Sequence, residues 1–466
     1  MIGLNKPLWL DEVYSINIIQ VKSVGQLIRN FYNGADTNPP FYFILIYFIQ
    51  KLTRSIIYIR LFSLILSIIG LYFLFKLLKN FVDREIIILI FLILSISYFY
   101  AQYLVVEIRP YALFFLLSVL FINQYYKISI INDKKLINSL FFLVVTISLL
   151  YTHYFAFYYV LLILIIELWN RKRNYYIIIS IIISLLLFLP WLTAIKNQLS
   201  IVHGKIWQEK PTFFEIIKLP TLYFNTFSSL LLLILIVISL FKQKINFTHF
   251  NLKFDNYVLL IISYSIFPFI NIILTNFNLS VSEPRYYIPS YVSYIFILAI
   301  VLNHFQITNL KLYKLLFTIF LVLSGFYRIE LYYNNQLIRR NDINSLLKLN
   351  ELNVPILCES TDEFYPLNYY AKLSGNSNFY FVLDKQSSEL NGNVKSAGFD
   401  YYWSKGIQHF YMSQNLIPIK EVINRFDSFY LINETQRRIF ENRFENNPSY
   451  LCNRLKGNIF FIRKIK

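Results

Sequence analysis

Charged side chains are scarce in this sequence, at 15% of 466 residues, against 56% hydrophobic and 19% aromatic. The mean hydropathy is +0.49. Such a balance excludes an ordinary soluble domain and makes the bilayer the chain's main solvent. Cysteine is nearly absent. The two present, Cys358 and Cys452, both lie in the polar C-terminal part, where they allow one disulfide if that part is outside the cytoplasm. Internal repeats, low-complexity tracts and a cleavable signal peptide are lacking as well. Acidic residues number 26 against 44 Lys and Arg, a net charge of +18. A basic excess can serve nucleic acid, but many of these cations sit in short loops beside apolar runs, the usual mark of cytoplasmic loops. No nucleic-acid partner is expected.

What is present in quantity is long apolar sequence. Stretches near the roughly 20 residues needed to cross a bilayer fall at 56–79, 85–104, 107–126, 137–152, 154–170, 175–192, 221–241, 256–275, 286–303 and 312–330. Phe41–Leu52, after Pro39 and Pro40, is too short to cross easily and reads as an interfacial helix. Lys76, Lys79 and Arg84, then Lys127, Lys134 and Lys135, then Arg171, Lys172 and Arg173, then Lys242, Lys244 and Lys253, then Lys311 fall at alternate connections. The positive-inside rule makes those connections cytoplasmic. The remaining connections, with every unusual polar cluster, then face outward. After about residue 335 charges of both signs appear with short β-prone runs at 354–358, 379–382, 428–432 and 459–462. That pattern predicts a separate soluble α/β domain. The expected organisation is an outer segment 1–55, a transmembrane domain 56–334 and an extracytoplasmic domain 335–466.

Four outward clusters could carry chemistry. Asp11 and Glu12 follow Trp9 and could supply a general base or metal ligands, or form a plain solvated acidic loop. Glu107 and Arg109 sit at a hairpin tip where ionisable groups are expensive. They either pair with each other or bind substrate, Arg109 gripping phosphate with parallel hydrogen bonds. His153, within Tyr151–Tyr154, is either an interface anchor or a ligand. Arg285, between Pro284 and Tyr286, is an interface anchor or a second hand on an anionic head group. The loop 193–220 adds Lys196, His203, Lys205, Trp207 and Lys210, a basic-aromatic mix that could cover a charged substrate or do nothing specific.

Taken in order, Trp9-Leu10-Asp11-Glu12, Asn38-Pro39-Pro40-Phe41-Tyr42, Glu107-Ile108-Arg109-Pro110-Tyr111, Tyr151-Thr152-His153-Tyr154 and Pro284-Arg285-Tyr286-Tyr287 resemble the integral-membrane glycosyltransferases of the GT-C superfamily. The similarity is to the bacterial branch related to protein O-mannosyltransferases and the lipid A aminoarabinose transferase. It implies a polytopic helical membrane protein with about ten spans in this chain and a C-terminal α/β domain. The membrane helix that precedes the Asp-Glu loop in that family has no counterpart ahead of Trp9, and no Lys follows Pro40. The resemblance implies a sugar moved from a polyprenyl-phosphate donor to an envelope glycan, lipid or protein by inverting single displacement. It makes Asp11 the catalytic base, Glu12 its helper and Glu107 a support for the acceptor or for a divalent metal ion. Arg109 and Arg285 would bind the donor phosphate, with Tyr14, Tyr111, His153 and Tyr286 around the substrate. The expected location is a bacterial cytoplasmic membrane, with the site outside. A transporter or flippase for lipid-linked sugars would instead show ionisable residues deep in its spans and internal repeats, which are not found here. A non-catalytic scaffold is the other alternative.

Overall fold

The computed structural model describes residues 4–466 apart from 202–211, 225–255, 277–282, most of 305–338, 387–394, 411–414, 434–438 and isolated positions elsewhere. The spans expected at 221–241 and 312–330 lie mainly outside the described residues, as do Lys172, His203, Lys205, Trp207, Lys210, Lys242, Lys244, Lys253 and Lys311. The chain divides into two compact units. One comprises Met1–Leu4, Asn38–Trp191 and Lys210–Tyr332, and the other Asn5–Thr37, Leu192–Glu209 and Tyr333–Lys466.

In chain order, α1 (Leu10–Ile18) and α2 (Val24–Tyr32) belong to the second unit. The first unit then supplies α3 (Phe41–Leu52), α4 (Ile56–Leu78), α5 (Arg84–Ser95), α6 (Tyr111–Ser129), α7 (Leu136–Leu150), α8 (Ala156–Trp169) and α9 (Tyr175–Phe188). After α10 (Leu192–Ile201) of the second unit come α11 (Phe213–Ile217), α12 (Leu219–Phe224), α13 (Asn256–Asn276) and α14 (Ile288–His304) of the first. By length and composition Ile56–Leu78, Tyr111–Ser129, Tyr175–Ile201 and Tyr257–Thr275 can cross a membrane, and α3, α7, α8 and α14 are shorter apolar helices. Two expected spans differ from the hydropathy pattern. The 107–126 helix starts only at Tyr111, after Pro110, whose missing N–H costs nothing at a helix start. The 85–104 stretch does not run through, because α5 ends at Ser95 and a π-helical turn, Tyr100–Val105, follows it.

That turn is held by one face of α4. Arg60, Ser63, Ser67 and Gly70 recur at helical spacing and are all buried. Ser67 donates its hydroxyl to the Leu104 carbonyl, and Ser63 donates to the Glu107 carbonyl at 3.0 Å. At Gly70 the helices approach so closely that a Cβ would stand 2.7 Å from Phe115 of α6. Polar groups gather at two ends of the unit. At one end Glu107, His153 and Arg285 occupy alternate connections. At the other, buried Glu167 of α8 accepts from Tyr125 Oη (2.7 Å) and from the Asn174 N–H (3.0 Å), beside the basic turn before α9. There too the Asp83 N–H, in the turn between α4 and α5, donates to Asn303 of α14 at 3.0 Å. Within this unit the described basic turns alternate along the chain with the loops that carry Glu107, His153 and Arg285.

The second unit contains a six-stranded sheet in the order β3-β2-β1-β4-β6-β5. Its strands are β1 (Ile356–Cys358), β2 (Phe379–Leu383), β3 (Leu416–Pro418), β4 (Ser428–Ile432), β5 (Tyr450–Lys456) and β6 (Ile459–Lys464), with helices α15 (Thr361–Leu373), α16 (Lys395–Ile407) and α17 (Ile419–Arg425) between them. The first four pair in parallel, and β6 and β5 extend the sheet antiparallel. Leu357, Val382, Phe429, Leu431 and Ile462 form its core. Near-continuous apolar runs suit parallel strands covered on both faces, which is why the β-prone runs locate them well. Both cysteines are free thiols. Between β1 and β5 stand β4 and β6, so three strand spacings, about 14 Å, separate Cys358 from Cys452, beyond a disulfide's reach. Helix α1 packs on this domain: Tyr14 meets Tyr365 edge-on at 4.8 Å and Trp403 at 6.4 Å. The Leu8 N–H donates to Tyr370 Oη at 2.8 Å, and Arg340 donates to the Asn5 carbonyl.

Candidate active site

In the first unit the sequence-predicted residues converge on the loops before α6, before α8 and before α14. Glu107 is fully buried, and Arg109 is 4% exposed. Ser63 fixes the backbone between α5 and α6, and Tyr42 hydrogen-bonds Ser63 in turn at 3.2 Å. The Arg109 guanidinium lies over the Phe43 ring of α3, 5.8 Å from its centroid. Phe41 donates its N–H to the Tyr151 carbonyl (3.0 Å), tying the start of α3 to the loop that carries His153.

His153 is enclosed. Its ring stacks on Phe114 of α6 at 4.8 Å and 10°, and the rings of Tyr286, Phe155 and Tyr111 lie 5.2, 5.7 and 6.2 Å away. The Phe155 N–H donates to its Nδ1 at 3.2 Å. Burial pushes the imidazole's pKa down to about 3, helped by the positive charges of Arg109 and Arg285. The ring is therefore neutral at any physiological pH.

Arg285 projects from a single 3₁₀ turn, Pro284–Tyr286. That turn is pinned by Tyr223 Oη donating to the Pro284 carbonyl at 2.9 Å, and Asn271 Nδ2 donates to Tyr287 Oη at 2.7 Å. The guanidinium lies over Tyr111 and Tyr286, 5.8 and 5.7 Å from their centroids, with Glu283 4.0 Å from Nε. Two buried arginines beside a neutral histidine give this end of the unit a positively charged cluster, whose chemical complement is an anion. Guanidinium groups match phosphate geometry through paired N–H donors.

Asp11, Glu12 and Tyr14 belong to the other unit. Asp11 and Glu12 occupy the first turn of α1, where negative charge suits the helix N-terminus. Successive helix residues turn by about 100°, and the two carboxylates meet different surroundings. Asp11 is half-buried, while Glu12 is fully buried, accepts from the Trp9 N–H at 3.4 Å and faces Lys6 Nζ at 3.8 Å. Tyr14 is engaged by Tyr365 and Trp403 of its own unit.

The structure thus brings Tyr111, His153, Arg285 and Tyr286 into one cluster within electrostatic reach of Arg109, and keeps Glu107 on the same short loop. Sequence reasoning did not single out Arg60, Lys6 or Phe114. Arg60, 1% exposed, donates from Nη1 to the Leu4 carbonyl at 2.8 Å, and a lone arginine inside an apolar helix was the signal that could have found it. Among the described residues no group of three or more His, Cys, Asp or Glu side chains could hold a metal ion.

No protein-family model matches this sequence, and no curated protein matches it. The structure is similar to the crystal structure of ArnT from Cupriavidus metallidurans in the apo state. The TM-score is 0.60, over 97% of this chain and 93% of that one, at 9% sequence identity. The chain has an ArnT-like fold, mostly helical and apolar with a C-terminal sheet domain.

Proposed function

We propose that this protein is a membrane glycosyltransferase that takes its sugar from a lipid-linked phosphate donor, polyprenyl phosphate being the carrier. The observation that carries this reading is the convergence of Arg109 and Arg285 on neutral, aromatic-caged His153 at one end of an apolar helical unit. A lipid phosphate has its anionic head group at the membrane surface, where such a cluster can meet it. The ArnT-like fold supports the same reading, ArnT being a lipid A aminoarabinose transferase.

In the proposed reaction the acceptor's hydroxyl or amine gives its proton to Asp11 as its heteroatom bonds to the anomeric carbon. The bond from that carbon to the phosphate oxygen breaks, and the electron pair leaves with the lipid phosphate. The phosphate's negative charge rises, and the two guanidinium groups stabilise it. One displacement inverts the anomeric centre. Among the described residues no donor set fits a resident metal ion, so no step is routed through one. Glu107, buried on the loop of Arg109, is proposed to orient the acceptor, and Tyr14, Tyr111 and Tyr286 to border the substrates. Glu12 serves Asp11 by holding the first turn of α1. The proposed setting is the outer face of a bacterial cytoplasmic membrane, with an envelope glycan, lipid or protein as acceptor.

The test is turnover of a radiolabelled polyprenyl-phosphate sugar by membranes containing the full chain. Asp11→Asn is expected to abolish turnover, and Arg109→Ala to raise KM for the donor more than it lowers kcat. Unchanged turnover in Asp11→Asn removes Asp11 from the chemistry, and an unchanged KM in Arg109→Ala removes the phosphate assignment.

A further inference from the structure

The hydrogen bonding of His153 decides what kind of group it is. A neutral imidazole carries one N–H and one lone pair. Nδ1 accepts from the Phe155 N–H at 3.2 Å, so Nδ1 holds the lone pair and the ring proton sits on Nε2. The residue is 3% exposed, and among the described residues nothing hydrogen-bonds Nε2. Stacking on Phe114 fixes the ring plane, while Arg109 and Arg285 flank it with positive charge.

From this geometry we infer that His153 is a fixed-tautomer, uncharged hydrogen-bond donor whose Nε2–H binds a phosphate oxygen of the lipid-phosphate substrate between Arg109 and Arg285. The inference rests on the proposed assignment of those arginines to phosphate and adds the third donor. It also separates His153 from the two roles histidine usually plays. A general base needs its lone pair toward the substrate, and here the backbone occupies it. A metal-ligating histidine binds through one nitrogen and donates its other N–H, whereas here the other nitrogen accepts. Neutrality suits the place: a third cation beside two guanidinium groups would add repulsion, while a neutral donor adds a directed hydrogen bond. The donor lipid is a phosphodiester with one negative charge, and the departing monoester carries about −1.5 to −2 at pH 7. A donor already aimed at a phosphate oxygen strengthens its bond as that charge grows. His153 keeps its proton throughout.

The experiment measures binding of a short-chain polyprenyl phosphate to the full protein in detergent, with inorganic phosphate as competitor in a parallel arm. His153→Phe keeps the stack and removes the donor. His153→Gln restores an N–H at the position of Nε2. The expected loss in His153→Phe is roughly tenfold to a hundredfold, the size of a hydrogen bond to a charged group, with recovery to within about threefold in His153→Gln. With a short-chain polyprenyl phosphodiester as probe, whose single negative charge does not titrate in this range, the wild-type to His153→Phe affinity ratio is expected to be the same at pH 5.5 and pH 8, because a neutral donor does not titrate there either. Inorganic phosphate competing at micromolar concentration would show a free-phosphate site and overturn the lipid assignment. If Arg109→Ala and Arg285→Ala weaken binding but His153→Phe does not, this inference fails and the phosphate reading stands. If none of the three weakens binding, both fail. A ratio that changes across the histidine range, or a His153→Gln variant as weak as His153→Phe, also overturns the neutral-donor role.

Discussion

Replacing Glu12 with alanine tests whether the two neighbouring carboxylates of α1 have separate jobs. Glu12 is fully buried and faces Lys6, whose side chain is 5% exposed, at 3.8 Å. Its carboxylate also receives the Trp9 N–H at 3.4 Å. Both distances are long, so neither is a strong hydrogen bond, but the pair is screened little by water. Removing one member of a buried ion pair costs about 3–5 kcal/mol because the other charge stays in place. The long contacts argue for the low end, about 3 kcal/mol. At ~2–4 °C per kcal/mol for a domain of this size, the second unit of Glu12→Ala should melt roughly 6–12 °C lower. Asp11→Asn, an isosteric change at a half-buried position one residue away, should lower the melting temperature by clearly less than Glu12→Ala does. The assay is thermal unfolding of the detergent-purified protein followed through Trp9 and Trp403, with donor turnover measured on the same samples. Equal melting of Glu12→Ala and the parent would show that the buried pair stabilises nothing. A fall in Asp11→Asn as large as that in Glu12→Ala would make Asp11 a structural residue and undercut its role as base.

Two further predictions concern packing and thiol chemistry. Gly70→Leu forces a side chain into Phe115 of α6, and overpacking of that kind costs ~1–3 kcal/mol. Because Ser63 and Ser67 on the same helix face hold the loop of Glu107 and Arg109, donor KM should rise together with the loss of thermal stability. A KM unchanged in a destabilised variant would separate the helix contact from the site. Cys452 is half-buried and Cys358 fully buried, so maleimide should label one thiol in the native protein and two after denaturation. Gel mobility should not change with reductant, and a shift would contradict the strand order.

Element type was readable where composition forces it. A bilayer-length apolar run bounded by basic turns has few alternatives to a helix, and the run at 428–432 becomes β4 with the same ends. The break inside 85–104 was only faintly readable, as a shift from the apolar 86–94 to a stretch holding Ser95, Ser97, Tyr100 and Gln102, because the interruption itself depends on what α4 offers to the freed carbonyls. The partition of Asp11 and Glu12 was equally hidden. Adjacent residues of one chemical type differ only through what a helix turns them toward, and nothing in the sequence marks Lys6 as the partner of Glu12. The arginines and His153 were visible as candidates from their place at loop tips, but the tautomer of His153 depends on a single backbone N–H that no motif encodes.

The anchoring of α1 by Tyr365, Tyr370 and Trp403 has a consequence for the order of events during synthesis. Val13, Tyr14, Ile16 and Ile18 leave the ribosome long before the residues that cover them, Tyr365 lying 351 positions after Tyr14. At about 5–20 residues per second, that interval lasts roughly 20–70 s. Throughout it α1 lacks the side chains that cover its apolar face. The segment bearing the proposed base is therefore made early and fixed late, once α15 and α16 have followed it.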